Sequence, residues 1–253
     1  MITDPLYVIC LSRNNALRCD KHVPLLKSVF SDVRPIEAVD GLTLDLTQHS
    51  NVSIFAKYHI ETQLASDRLH VSKTNVVACF MSHILCWEQV VKTNRASFVV
   101  EDDVNVNKLE QYLLQANSKI PRNDPSVDFA SLMYLHLRMT GTASYNNDWM
   151  YIDNRNFGGT QMYYVTPRGA SRLLQHAFPI FAPVDVYIGY LASVSTSSFT
   201  ALYYKQNLYT IYNQISDGLR SSLGHPLNIK AELPESNWFY LLLLLGLVYL
   251  CLR

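Results

Sequence analysis

The chain has 253 residues, 49 % of them hydrophobic and 17 % charged, with 21 basic residues balanced by 21 acidic ones. That length suits one sizeable buried core, and a net charge of zero leaves no field for holding a nucleic acid. No long charge run, low-complexity tract or internal repeat is present.

Five cysteines, Cys10, Cys19, Cys79, Cys86 and Cys251, form an odd set with no short-loop framework, which argues against a disulfide-stapled secreted domain. The opening Met-Ile-Thr-Asp-Pro carries neither the basic flank nor the apolar core of a signal peptide. The bulk of the chain is therefore expected to face a reducing cytosol.

Leu6 to Leu11 is a continuous apolar run after Pro5, as a buried strand of a parallel sheet requires. A helix is expected over Val23 to Phe30, then a strand over Val33 to Val39 closed by the turn signal Asp40-Gly41. Residues 42 to 75 are polar and irregular and predict a loop-rich insertion. Val77, Phe80, Met81, Ile84 and Val91 fall at helical spacing and predict a helix over 77–91. Strands are expected over Ser97 to Val100, Asp128 to Leu135 and Gln161 to Val165. Thr166-Pro167 starts a helix running to about His176, because a hydroxyl caps the first turn and proline fits the first helical position. Phe199 to Tyr212 supplies late strands. Strands alternating with helices predict an α/β domain with a mostly parallel sheet.

The end of the chain differs. Trp238 to Leu252 is apolar on every face, with aromatics at its start and Tyr249 near its end. Fifteen helical residues span roughly 22 Å, less than the ~30 Å of a bilayer core. A buried helix usually keeps a polar stripe and this one has none, so membrane insertion is favoured over core burial. The expected organisation is a domain over 1–222, a linker over 223–237 and a C-terminal hydrophobic helix over 238–252 that tethers the domain, cytosol-facing, to a membrane.

The chemistry concentrates in Glu101-Asp102-Asp103, three carboxylates directly after an apolar strand. They repel one another unless a cation compensates them, and ligands of open α/β sheets sit at the carboxyl ends of strands. Along an extended backbone Glu101 and Asp103 point one way and Asp102 the other. Hard oxygens suit Mg2+ or Mn2+ bridging a diphosphate; a solvated acidic turn is the plain alternative. Cys79, His83 and Cys86 share a helix face, but no fourth ligand stands at typical spacing, so a buried, hydrogen-bonded histidine is favoured over zinc.

Several segments in order resemble glycosyltransferase family 25, which includes bacterial lipooligosaccharide and collagen galactosyltransferases. They are the strand and arginine-bearing loop from Leu6 to Arg18, Glu37-Ala38-Val39-Asp40-Gly41, Ala78-Cys79-Phe-Met-Ser82-His83 with Trp87-Glu88, and Val-Val-Glu101-Asp102-Asp103-Val. Gly159-Thr160, Tyr164-Val-Thr-Pro167-Arg-Gly169-Ala170, Pro183-Val184-Asp185 and Gln214 to Gly218 continue the likeness, which covers about residues 5 to 220. The chain departs from the family pattern at Ala78, where glycine is usual.

The resemblance implies a GT-A-type, Rossmann-like nucleotide-sugar-binding domain that moves a hexose, most often galactose, from a UDP-sugar to a hydroxyl on a glycan, glycolipid or protein, with inversion. By carry-over, Glu101 and Asp103 hold Mn2+ (or Mg2+) with Asp102 in support. Arg13, Arg18 and Asp40 contact the nucleotide, Ser82 and His83 line the donor site, and Asp185 is the general base. Two rivals remain: an inactive membrane-tethered scaffold that keeps the fold, and a metal-dependent phosphohydrolase, for which no second metal cluster is visible.

Overall fold

The computed structural model describes residues 1–62, 74–104, 109–133, 143–153, 157–194 and 198–206. Strand β1 (Leu6–Cys10) is buried along its whole length, as its apolar run requires. Helix α1 (Cys19–Val29) follows, then β2 (Val33–Glu37), α2 (Ile54–Thr62), α3 (Thr74–Thr93) and β3 (Ser97–Glu101). The second half supplies α4 (Leu109–Lys119), β4 (Phe129–Met133), β5 (Trp149–Tyr151), β6 (Met162–Val165), α5 (Pro167–Gln175), α6 (Val184–Ser193) and β7 (Ala201–Tyr204).

The strands form one seven-stranded sheet in the order β2-β1-β3-β6-β4-β7-β5. β2, β1 and β3 are mutually parallel, and β4 and β7 run with them. β6 and the edge strand β5 run against the rest, so the sheet is mixed although most strands share one direction. β1 lies between β2 and β3, so the chain reverses its winding there and leaves a crevice at the strands' carboxyl ends. Side chains alternate between two cores. Val99, Tyr163 and Phe129 pack with α3, α5 and α6 on one face; Val8, Phe98, Val100 and Tyr164 pack with α1 and α4 on the other.

The expected strands and helices are present within a few residues of their predicted ends. Thr166 caps α5 by accepting the Gly169 N–H at 3.0 Å, with Pro167 in the first turn. Asp128, fully buried, accepts from Arg168 Nε at 2.7 Å, Arg172 Nη1 at 2.6 Å and the Thr200 N–H at 3.0 Å, which ties β4 to α5 and β7. The segment at 164–170 that resembles the family is thus part of the scaffold.

Two expectations need correction. The predicted loop over 42–75 contains α2, which periodicity missed because Ile54 (77 % exposed), Phe55 (62 %) and Tyr58 (56 %) face outward while, among the side chains described, Ala56 alone is fully buried. The cysteine pattern argued against a disulfide-stapled domain in a reducing setting, yet Cys10 and Cys19 are joined, with Cα atoms 5.9 Å apart, and close the loop between β1 and α1. Its nine-residue separation is too short to stand out as a framework in the sequence. Replacing both by serine is expected to lower unfolding free energy by about 2–3 kcal/mol, mainly by freeing the unfolded chain. Urea denaturation with and without reductant checks it: a wild type that loses no stability on reduction contradicts the link.

Among the described residues no helix is long and apolar enough to cross a membrane. The segment at 238–252, the linker before it, Gln214 to Gly218 and the end of the predicted late strands lie outside the described residues.

Candidate functional site

At the carboxyl ends of β1, β2 and β3 the structure has a shallow cleft that is half open to solvent. Ile9, Leu11 and Arg13 line it from the first strand and its loop, and Ala38, Val39 and Gly41 from the second. Asn75, Ala78, Cys79, Ser82 and His83 line it from one face of α3, and Glu101, Asp102 and Asp103 form its floor.

The three carboxylates differ in their partners: β3 ends at Glu101, and Asp102 and Asp103 lie in the turn after it, not on the extended backbone that alternation assumes. Asp102, 7 % exposed, turns away from its neighbours and accepts Arg18 Nη1 at 3.0 Å and the Leu11 N–H at 3.2 Å. Glu101 Oε1 accepts the Thr160 hydroxyl at 2.9 Å and lies 3.4 Å from His83 Nε2. Burial pushes the Glu101 carboxyl up, but the hydrogen bonds from His83 and Thr160 and the Arg18 charge outweigh it and hold it below the usual carboxylate range. For Asp103 the Arg18 charge and a backbone hydrogen bond pull the same way but do not outweigh burial. Asp103 Oδ1 is buried with no hydrogen-bond partner among the described residues. Burial, then the Glu101 charge, raises its pKa to about 7. An unpaired carboxylate oxygen beside a second ionised carboxylate is what a divalent cation would compensate, and the donor set is hard oxygen. The residues present therefore fit Mn2+ or Mg2+.

A buried chain of hydrogen bonds sets Glu101 in place. Trp87 Nε1 donates to Tyr163 Oη at 2.9 Å, and that hydroxyl lies 2.8 Å from His83 Nδ1. The Glu101 carboxylate can only accept, so the proton of the neutral histidine ring sits on Nε2, and Nδ1 then accepts from the Tyr163 hydroxyl. The Nε2 proton is shared between Thr160 Oγ1 and Glu101 Oε1, each 3.4 Å away. His83 is thus both at the cleft and fully buried. Tyr163 and Thr160 were not read from the sequence as site residues. Only their place on β6 (Tyr163) or just before it (Thr160), beside the strand that ends in Glu101, marks them.

The other predicted residues take distinct places. Arg13 lies at the cleft, its Nε 3.5 Å from Asp40 Oδ2, a half-exposed pair that bridges the loops after β1 and β2. Such a pair holds weakly and leaves both groups available to a ligand. Asp40 also accepts the Leu42 N–H at 2.9 Å. Arg18 does not reach the cleft; it lies beneath the floor, neutralising Asp102. Ser82 Oγ accepts the Val39 N–H at 2.9 Å and donates to the Ala78 carbonyl at 2.7 Å, so its hydroxyl ties α3 to the β2 loop. Asp185, in the first turn of α6, accepts the Gly159 N–H through Oδ2 and the Val186 N–H through Oδ1, both at 2.8 Å. Each of these oxygens keeps a second lone pair. Gly159 needs its glycine, because φ is +89° there.

Gly41 lets the β2 loop pack on α3: a Cβ there would lie 2.6 Å from the Asn75 Cα. Gly41→Ala is expected to push Asp40 away from Arg13 and weaken ligand binding in the cleft roughly tenfold, about 1.4 kcal/mol. Calorimetric titration with UDP reads this, and unchanged affinity would show that the loop gives without cost.

Comparison with protein-family models matches residues 4–188 to glycosyltransferase family 25, described as an LPS biosynthesis protein. No curated protein matches the chain. The match spans well over half of the 253 residues and includes the acidic strand end, the α3 face and Asp185, and the chain belongs to glycosyltransferase family 25.

Proposed function

We propose that the domain is a GT-A-type hexosyltransferase that takes a UDP-sugar, with galactose as the sugar, and passes the hexose to a hydroxyl of a glycan, glycolipid or protein with inversion. The observation that carries this reading is the unpaired Asp103 oxygen beside Glu101 on the floor of a cleft at the strands' carboxyl ends. Glu101 and Asp103 would hold Mn2+ or Mg2+, which supplies charge compensation to the departing diphosphate. Arg13, whose pair with Asp40 is loose, turns to the phosphates. Asp102 and Arg18 keep the β1 loop in register beneath them. Asp185 is the candidate general base: it acts electrostatically on Cys79, a cleft residue, and its remaining lone pairs can take the acceptor's proton.

The reading is tested by UDP release from UDP-galactose and UDP-glucose, with and without Mn2+. Mn2+-dependent release that is absent in Asp103→Ala supports it. Release that persists in Asp103→Ala overturns the metal assignment, and neither release nor UDP binding favours the inactive scaffold.

The apolar segment at 238–252 is proposed as a membrane tether. A cytosol-facing domain would hold the Cys10–Cys19 disulfide in a reducing compartment, whereas such a bond fits an oxidising one. Protease protection in sealed vesicles decides it: a digested domain supports the cytosolic side, a protected one the lumenal side.

A further inference from the structure

We propose that Cys79, His83 and Glu101 form a second, softer cation site that takes Zn2+ or Cd2+ and shares Glu101 with the oxygen-only site. Cys79 and His83 are four residues apart on α3 and so project from one face of it. That face meets the end of β3, where Glu101 supplies the third group. One ligand atom from each residue lies within 4.8 Å of the other two. A tetrahedral zinc ion with bonds of about 2.0–2.3 Å holds its ligand atoms roughly 3.3–3.8 Å apart. The His83 Nε2 to Glu101 Oε1 separation, 3.4 Å, already meets that requirement. The thiol of half-buried Cys79 needs to close by only about 1 Å.

The surroundings favour a cation there. The charges acting on the Cys79 thiol are all negative, from Glu101, Asp185 and Asp103. Sulfur, nitrogen and one carboxylate oxygen make a donor set for Zn2+ or Cd2+, whereas Glu101 with Asp103 offers hard oxygen alone. Cation binding releases the thiol proton to solvent and moves the histidine proton from Nε2 to Nδ1. Nδ1–H then donates to Tyr163 Oη, whose two lone pairs serve His83 and Trp87 together. Cys86, on the same helix, is fully buried and outside this cluster.

A soft cation that takes the Glu101 carboxylate withdraws it from the oxygen-only site, which then keeps Asp103 as its one assigned carboxylate. Zn2+ therefore displaces the Mn2+ that supports donor binding, a consequence that rests on the proposed transferase activity; the soft site itself does not.

The test is a Cd2+ titration of the full chain, stripped with chelator and kept free of reductant, followed by the ultraviolet thiolate-to-cadmium charge-transfer band. The wild type and Cys86→Ser are expected to show the band, and Cys79→Ser to lack it. Tyr163→Phe, which removes only a hydroxyl, is expected to bind Cd2+ roughly 10- to 100-fold more weakly. A wild type without the band, or an equal band in Cys79→Ser, overturns the site. In the activity arm, Zn2+ is expected to suppress Mn2+-dependent UDP release in the wild type and much less in Cys79→Ser. Suppression that is equal in both overturns the sharing of Glu101. Failure of UDP release itself counts against the transferase reading alone, because the band is read without substrate.

Discussion

Asp103→Asn is expected to make the unliganded protein more stable above pH 7 while lowering sugar transfer by about 10²–10³-fold, the loss that follows removal of one electrostatic group from an active site. Asp103 titrates near 7 in the folded protein, because burial and then the Glu101 charge disfavour its ionised form. An unfolded aspartate titrates near 4. A raised folded value means that the native state holds the proton more tightly. The stabilising contribution is complete below about pH 4 and is lost as pH rises through 7. The full effect is at most about 4 kcal/mol, and solvent screening reduces it. Asparagine keeps the shape without the charge and removes the loss at high pH. Urea midpoints of wild type and variant at pH 5 and pH 8, beside UDP release, check both halves. A variant less stable than wild type at pH 8 would show that the carboxylate is paired. Donor binding by the wild type is expected to rise as Asp103 ionises, and added Mn2+ to shift that rise to lower pH.

Arg18→Met is expected to cost roughly 3–5 kcal/mol, the penalty for leaving one member of a buried ion pair without its partner. Arg18 and Asp102 are both 7 % exposed and meet at 3.0 Å, and Asp102 also holds the Leu11 N–H at the start of the β1 loop. Removing the guanidinium leaves a charge in the floor of the cleft. Adding Asp102→Asn removes that charge while keeping an acceptor for Leu11, so the double variant is expected to recover most of the loss. A double variant no more stable than Arg18→Met would show that the arginine acts through packing instead. Arg18 was read from the sequence as a nucleotide contact, and Arg18→Met separates the roles: a ligand role lowers UDP affinity at full stability, a structural role lowers stability first.

Much of the fold was legible because the buried strands are continuous apolar runs and α3 has a clear helical period. α4 carries a readable period too, at Tyr112, Leu113 and Ala116, although it was not expected. β5 is three residues long at a sheet edge and gives no periodic signal. α2 shows the limit of the method, since a helix that turns Ile54, Phe55 and Tyr58 outward presents no inward stripe.

The candidate site divides in the same way. Glu101, Asp102 and Asp103 were legible because adjacent carboxylates after an apolar strand need a reason, but strand alternation could not sort them, since the chain turns after Glu101. What each partner does was not. Arg18 and Arg13 are five residues apart in one loop, yet one is a buried counter-ion and the other is free to meet a ligand. Only the closed loop, pinned by Cys10–Cys19, separates them. The Trp87–Tyr163–His83–Glu101 chain joins α3, β6 and β3 across 76 residues of sequence, a distance over which local pattern carries no information.

The central claim is that Glu101 and Asp103 bind a nucleoside diphosphate through a divalent cation, and calorimetric titration of the full chain with UDP tests it most directly. UDP is expected to bind in the presence of Mn2+, to bind weakly or not at all after chelation, and to lose its Mn2+ dependence in Asp103→Asn while the variant stays folded. Equal UDP affinity with and without Mn2+, or an Asp103→Asn variant that binds as the wild type does, would contradict it.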